Sequence, residues 1–209
     1  MPLALQTLAL VTPYHLRETI YDWHAPHEYW YGIVSGAART CAMSTEGRRQ
    51  ILEFLLPGDL FGFDLSLSER VVADAVVEGT LVARYPRRSL ESLAESDPRV
   101  SRELRLMVFG AIARLQERIV ILGRATARAK VAAFLLEMSR RSAQQRRDQV
   151  ELPMSRYDIA DYLALAVETV SRTLTELKRS GIITLLSKRQ VCIINRAQLE
   201  AEVHEAGQV

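Results

Sequence analysis

The sequence predicts an α+β fold made of an N-terminal antiparallel β-roll, a long helix and a C-terminal winged helix-turn-helix. Three observations carry that expectation. Short β-prone runs split by Gly-bearing turns occupy the chain from Tyr14 to Leu90. A stretch of helix formers almost free of breakers follows Asp97-Pro98. Residues 152–194 then hold a capped short helix, a second amphipathic helix and a hairpin with a basic turn. At 209 residues the chain exceeds what one compact core needs, so two modest domains are expected. A content of 48% hydrophobic and 25% charged residues excludes collagen-like, low-complexity and disordered classes. The opening MPLALQTLALVTPYHLRE has no basic residue ahead of its apolar patches, which Gln6 and Thr7 interrupt, so no secretory leader is expected. No run approaches the roughly 18 apolar residues of a membrane span. Two cysteines, Cys41 and Cys192, can neither build a disulfide framework nor supply the four thiolates of an iron–sulfur cluster. The expectation is a soluble cytoplasmic protein without membrane association.

In the roll, assigned to 1–96, Ser35-Gly36, Glu46-Gly47 and Pro57-Gly58-Asp59 punctuate the chain. The strand-like runs Tyr29–Val34, Arg49–Leu56, Val71–Val77 and Thr80–Tyr85 lie between them. Regular short strands with such turns form antiparallel sandwiches or barrels, which hide their edges by closing on themselves.

The character changes at Ser96-Asp97-Pro98. Asp97 suits an N-cap, and Pro98 suits the first helical position, where its missing N–H is no loss. Leu104, Val108, Ala111, Leu115 and Leu122 recur at helical spacing, with Arg118 in the skipped position, and Ile112 and Ile119 widen the stripe. A helix of about 25 residues spans about 38 Å, more than a small domain's core requires. Over 97–123 it is expected to serve as a dimerisation helix, its seam meeting a twin in a parallel pair.

Gly123 separates it from a second helical pattern, Thr126 to Arg141, with Val131, Phe134, Leu135 and Met138 on one side. The polar Gln144–Gln149 stretch is expected to be a loop. The charge balance also shifts. Residues 1–123 hold 13 basic against 15 acidic side chains, whereas residues 124–196 hold 14 against 7. A basic C-terminal third behind a near-neutral front suits a nucleic-acid-binding module, assigned here to 124–209.

Within it, Ser155 and Asp158 stand in the S-x-x-D arrangement of a capping box, with Met154 and Ile159 placed for a hydrophobic staple. The short helix turns Ile159, Ala160 and Leu163 inward. A second helix runs from Val167 to Ser180, ended by Lys178, Arg179 and Gly181. Small Ala160, then Ala164 in the turn, then Val170 allow the two helices to cross closely, as in a helix-turn-helix. Val170, Leu174 and Leu177 form the second helix's core stripe, and Glu168, Ser171, Arg172, Thr175 and Arg179 the opposite one. A guanidinium pairs with guanine, a carboxylate accepts from a cytosine amino group, and a hydroxyl does either. Such a helix enters the major groove by its N-terminal residues, so Glu168, Ser171 and Arg172 are the candidate base contacts. Ile182-Ile183-Thr184-Leu185 and Gln190-Val191-Cys192-Ile193-Ile194 then predict a hairpin. Its basic turn, Ser187-Lys188-Arg189, is placed to meet phosphate.

The order of roll, long helix and winged helix resembles the Crp/Fnr superfamily of bacterial transcription regulators. GRATARAKVAAFLLEM (123–138) with LPMSRYDIADYLALAVETVSRTLTELKRSGII (152–183) is most similar to its Fnr/FixK branch. The resemblance implies that the roll is a cyclic-nucleotide-binding-like jelly roll and that the chain acts as a homodimer on double-stranded, palindromic DNA. It also implies contact with RNA polymerase. The branch carries Glu-x-x-Ser-Arg on its recognition helix, matched here by Glu168, Ser171 and Arg172, which implies a TTGAT-type half-site with Arg172 on guanine. The cyclic-AMP-receptor branch has an Arg before the Glu and a Gly where Ser171 stands, so Val167 and Ser171 point away from its TGTGA half-site. The same carry-over makes Ser155, Arg156, Thr169, Lys188 and Arg189 the phosphate contacts. Two positions depart from the pattern: Ala164 where relatives usually have Gly, and Ala166 where they often have a Ser or Thr cap. A lost side-chain cap costs about 0.5–2 kcal/mol.

In this superfamily the roll binds a cyclic nucleotide, a haem or another effector. Cyclic AMP recognition needs a Glu after a Gly and an Arg-Ser pair for the phosphate. In GDLFGFDLSLSERVVADA (58–75), Phe63 stands at the Glu position and Val71 follows Arg70. One guanidinium without the hydroxyl holds a phosphate poorly. A haem would need an axial ligand, for which His24 and His27 in WHAPHEYW are the candidates, although this spacing also suits a turn flanked by core aromatics. FixK-like members are often effector-independent, so no cofactor and no metal are expected. An effector-gated sensor of the same fold, or a dimeric ligand-binding protein with a vestigial DNA domain, stay open as alternatives. Barrels that act as metal-dependent oxygenases need three histidines and a carboxylate. No histidine lies between His27 and His204, so an enzyme is not expected.

Overall fold

The computed structural model describes residues 7–22, 24, 28–44, 46, 49–63, 70–141 and 148–204. Of the segments read from sequence, Trp23, His27, Gly47 and residues 64–69 and 142–147 lie outside these. The chain divides into two compact units, Met1–Leu115 and Gln116–Val209, with the division inside the long helix.

The first unit contains β1 (Leu10–Tyr14), β2 (Thr19–Tyr21), β3 (Tyr29–Ser35), β4 (Ala38–Met43), β5 (Arg49–Leu55), β6 (Leu60–Phe61), β7 (Arg70–Ala75) and β8 (Thr80–Pro86). They form two antiparallel sheets ordered β1-β8-β3-β6 and β2-β7-β4-β5. Successive side chains of a strand point to opposite faces. Val82 of β8 therefore joins Tyr14, Ile20, Tyr31, Ile33, Leu55 and Phe61 in one core, while Ala83 and Tyr85 join Leu60, Leu90, Val100 and Leu104 in another. In the first core the Tyr21 and Tyr31 rings stack at 5.4 Å, as do those of Tyr31 and Phe61. At the β3–β4 turn Gly36 has φ +81, and a Cβ there would lie 2.6 Å from Thr80 Oγ1, so this tight turn depends on glycine.

The strand-like region expected to reach Leu90 ends at Pro86 instead. Arg87–Ser96 is a helix, α1, because Leu90 and Leu93 at helical spacing cover the Tyr85 face of the roll. The next helix, α2, spans Pro98–Leu122 as expected, and the Asp97 carboxylate accepts from the Arg99 N–H at 2.8 Å. Arg114 anchors it to the roll through Glu53 at 2.5 Å and Asp59 at 3.2 Å.

The predicted seam of α2 is divided between buried and exposed positions. Leu104 and Ala111 are only 7% and 3% exposed within the single chain, and Leu104 belongs to the second core of the roll. Val108 and Leu122 are half-buried, and of the five residues only Leu115 lies exposed. The free apolar stripe is Leu106, Phe109, Ile112, Leu115, Ile119 and Val120, with Phe109 61% and Ile119 69% exposed. It lies on a face beside Leu104, which the roll takes into its own core.

The second unit is built on α3 (Ala127–Arg141), whose residues from Val131 to Ser139 are all buried. Thr126 starts it, its hydroxyl oxygen accepting from the Ala129 N–H at 3.1 Å. Then follow β9 (Gln149–Glu151), α4 (Arg156–Leu163), α5 (Val167–Arg179), β10 (Ile183–Leu185), β11 (Gln190–Ile193) and α6 (Arg196–His204). Gln149, expected in a loop, begins a strand: Val150 is fully buried opposite Val191, so the wing is a three-stranded sheet ordered β10-β11-β9. The helix α6 was not expected. Asn195 caps it through the Gln198 N–H at 3.0 Å, Leu199 and Val203 are buried, and Arg128 pairs with Glu202.

Candidate nucleic-acid interface

The two helices expected to form the interface are started very differently. At α4 the Ser155 hydroxyl oxygen accepts from the Asp158 N–H at 3.2 Å, and the Ser155 N–H donates to the Asp158 carboxylate at 3.0 Å. This is a complete capping box, with Met154 and Ile159 both buried beside it. The turn to α5 passes through Ala164 at φ +52, a left-handed conformation that a Cβ disfavours. Ala166 then precedes α5 with no side-chain cap. Both departures noted in the sequence are thus present as physical features of the turn.

Tertiary packing orients α5. Val170, Thr173, Leu174 and Leu177 are buried, whereas Glu168, Ser171, Arg172, Thr175 and Arg179 are exposed. The Arg172 side chain is 73% exposed and its Nε lies 3.9 Å from Glu176. Exposed pairs of this kind are weak, so the guanidinium can leave Glu176 for a stronger bidentate partner. The Thr175 hydroxyl donates to the Ser171 carbonyl at 2.9 Å and is occupied within the helix.

The five phosphate candidates fall into three situations. Lys188 and Arg189 are exposed on the wing turn, where the Arg189 N–H donates to the Ser187 hydroxyl at 3.1 Å. Ser155 is exposed, but its hydroxyl donates to the Asp158 carboxylate at 2.7 Å, so a phosphate would compete with the cap. Thr169 and Arg156 are half-buried. Burial lowers the Arg156 pKa, and its Nη1 is buried without a hydrogen-bond partner. An arginine stays protonated in proteins, so this is a desolvated cation with an unused donor.

Of the residues considered for effector binding in the roll, Phe63 packs on Trp30 at 5.6 Å. Arg70 opens β7 and is exposed. His24 is exposed beside Asp22, with Nδ1 3.8 Å from the carboxylate. Among the described residues no group of three His, Cys, Asp or Glu is placed to hold a metal ion, and no helix is long and apolar enough to cross a membrane.

Nothing in the sequence singled out Tyr162, Glu137 or their link to Arg118. The available signal was Glu137 itself, a carboxylate on the apolar side of α3. It is buried and accepts from the Tyr162 hydroxyl at 3.3 Å.

Comparison with known proteins agrees with this geometry. The cyclic nucleotide-binding domain family matches residues 11–97, and the Crp-like helix-turn-helix domain family matches residues 129–202. The nitrogen fixation regulation protein FixK of Azorhizobium caulinodans is 45% identical over 172 residues, covering 81% of this chain and 69% of the relative. FixK of Rhizobium meliloti is 36% identical over 192 residues, covering 92% and 86%. The structure of FixK2 from Bradyrhizobium japonicum superposes with a TM-score of 0.81 at 41% identity, covering 96% of this chain and 98% of that one. The roll, the long helix, the capped helix-turn-helix and these relatives place the chain in the Crp/Fnr family of transcription regulators, as a FixK-like member with a helix-turn-helix DNA-binding domain.

Proposed function

We propose that the chain acts in the cytoplasm as a homodimer that binds TTGAT-type palindromes, without requiring cyclic AMP or an iron–sulfur cluster. The observation that carries this reading is the outer face of α5. Its N-terminal half leaves Glu168, Ser171 and Arg172 exposed while its aliphatic residues hold the helix to the core. A carboxylate, a hydroxyl and a guanidinium on the leading turns of a recognition helix suit base-edge readout, with Arg172 on guanine. Lys188 and Arg189 on the wing, with Ser155, Thr169 and Arg156 around the helix starts, supply the phosphate contacts.

The exposed stripe of α2, from Leu106 to Val120, is the surface that pairs two chains. Within it Leu115, Ile112 and Ile119 belong to the predicted stripe, and Phe109 extends it. Such a dimer would set two recognition helices about 34 Å apart, in successive major grooves. Effector independence is supported by Phe63 and Val71, which offer a ring and an aliphatic group where a cyclic nucleotide needs a carboxylate and a hydroxyl. The stacked Tyr21, Tyr31 and Phe61 also fill the roll from within. RNA polymerase is the further partner this reading implies.

The test is a titration of untreated protein, in air and at fixed salt, with a TTGAT/ATCAA palindrome, a TGTGA/TCACA palindrome and a scrambled duplex. Tight binding to the first alone is expected. Equal weak binding to all three would overturn effector-independent base reading.

A further inference from the structure

The sequence places arginine at position 118, where the apolar pattern of the long helix calls for a hydrophobic residue. Its guanidinium lies over the Tyr162 ring, 4.9 Å from the centroid. Tyr162 belongs to α4, the first helix of the helix-turn-helix, and is only 3% exposed. Its ring also packs on Phe134 of α3 at 5.7 Å, and its hydroxyl donates to Glu137 at 3.3 Å. Glu137 is 2% exposed and pairs in turn with Arg141 at 3.3 Å. One residue before Arg118, Glu117 pairs with Arg140 of α3. Within the second unit the last turns of α2 are thus fastened to α3 and α4 by a cation on a buried aromatic ring, the ring being held by a buried carboxylate. The neighbouring Ile119 faces outward on the apolar stripe. One helical turn therefore presents the pairing surface on one side and holds α4 on another.

We infer that Arg118 is a positioning residue, which fixes the first helix of the helix-turn-helix relative to the dimer axis and so sets the half-site spacing the protein accepts. The inference rests on the homodimeric, palindrome-reading function proposed above. A cation–π contact requires the guanidinium to lie over the ring face within about 6 Å of its centroid, so it ties the place of α4 to that of the last turns of α2. Adding one base pair between half-sites moves the second half-site about 3.4 Å along the axis. It also turns it about a tenth of a helical turn, which a rigid pair of reading helices cannot follow.

The full-length protein, Arg118→Met, Arg118→Lys and Tyr162→Leu are to be titrated on palindromes whose half-sites are separated by the optimal spacing and by one or two base pairs more or fewer. A duplex with a single half-site is included, and dimerisation is followed by sedimentation. Wild type is expected to prefer one spacing sharply. Arg118→Met, still dimeric and unchanged on the single half-site, is expected to bind the optimal palindrome about threefold to thirtyfold more weakly and to lose that preference. Arg118→Lys, which keeps a cation over the ring, restores the preference. Tyr162→Leu matches Arg118→Met, and combining the two adds nothing further. A sharp wild-type spacing preference in Arg118→Met would overturn the inference. So would equal weakening on the single half-site and on every palindrome, since that is ordinary loss of packing. Failure of Arg118→Lys to restore the preference would overturn the cation–ring contact as its cause. A wild type indifferent to palindromes would instead overturn the DNA-reading function, and the inference with it.

Discussion

The roll turns Tyr21, Tyr31 and Phe61 into its own interior, whereas α5 keeps Glu168, Ser171 and Arg172 outside. Both elements are amphipathic, yet their distinctive side chains lie on opposite sides of the boundary between core and solvent. An aromatic ring stacked inside a closed sheet contributes to stability, because removing it leaves a cavity. An exposed guanidinium contributes almost nothing until a ligand desolvates it. The same kind of substitution should therefore appear as lost stability in the roll and as lost affinity on α5.

The largest effect that separates the two regions is a core truncation in the roll. Phe61→Ala should cost about 3–5 kcal/mol of folding stability. Denaturant unfolding reads this loss, and half-site affinity of the remaining folded protein should be unchanged. A weakened DNA affinity at full folding would erase the contrast. Arg172→Ala is the counterpart on α5. It should leave the unfolding midpoint in place while costing about 1–3 kcal/mol of binding per half-site and relaxing the preference for guanine. Unchanged affinity and specificity would remove Arg172 from the base contacts.

Two smaller effects sharpen the comparison within the DNA-binding unit. Ala164→Gly relieves a left-handed backbone but adds freedom to the unfolded chain, so a net gain of about 0.5–1 kcal/mol is expected. Thermal unfolding measures it, and a loss of stability would show that the Ala164 methyl makes packing contacts worth more than the strain. Lys188→Ala should weaken binding to all sequences alike and reduce the salt dependence by about one contact per half-site. A loss confined to one sequence would assign Lys188 to base reading instead.

The features legible in the sequence are those set by near neighbours. Asp97 and Pro98 start α2 through a carboxylate and an N–H two residues apart. Ser155 and Asp158 close a capping box across three residues. The division of α5 into Val170, Leu174 and Leu177 against Glu168, Ser171 and Arg172 follows from the helical repeat alone. Several short elements were not legible. Gln149–Glu151 is a strand only because Val191 and its neighbours pair with it, and three residues carry no period of their own. The helix at Arg87–Ser96 was hidden by the strand that runs directly into it. The helix at Arg196–His204 had an Asn cap and the pair Leu199 and Val203 as its only signals.

The sequence by itself determined the order of roll, long helix and helix-turn-helix, the caps at Asp97 and Ser155, and which face of α5 carries Glu168, Ser171 and Arg172. Each of these depends on side chains within one or two turns of one another. Only the tertiary structure decided which apolar residues of α2 stay free, because the roll, distant in sequence, buries Leu104 and leaves Phe109 exposed. The same holds for Arg118, an interruption when read along the helix and a contact with Tyr162 once the chain is folded. A helical repeat specifies that a stripe exists, but burial depends on what packs against it, and that partner comes from elsewhere in the chain.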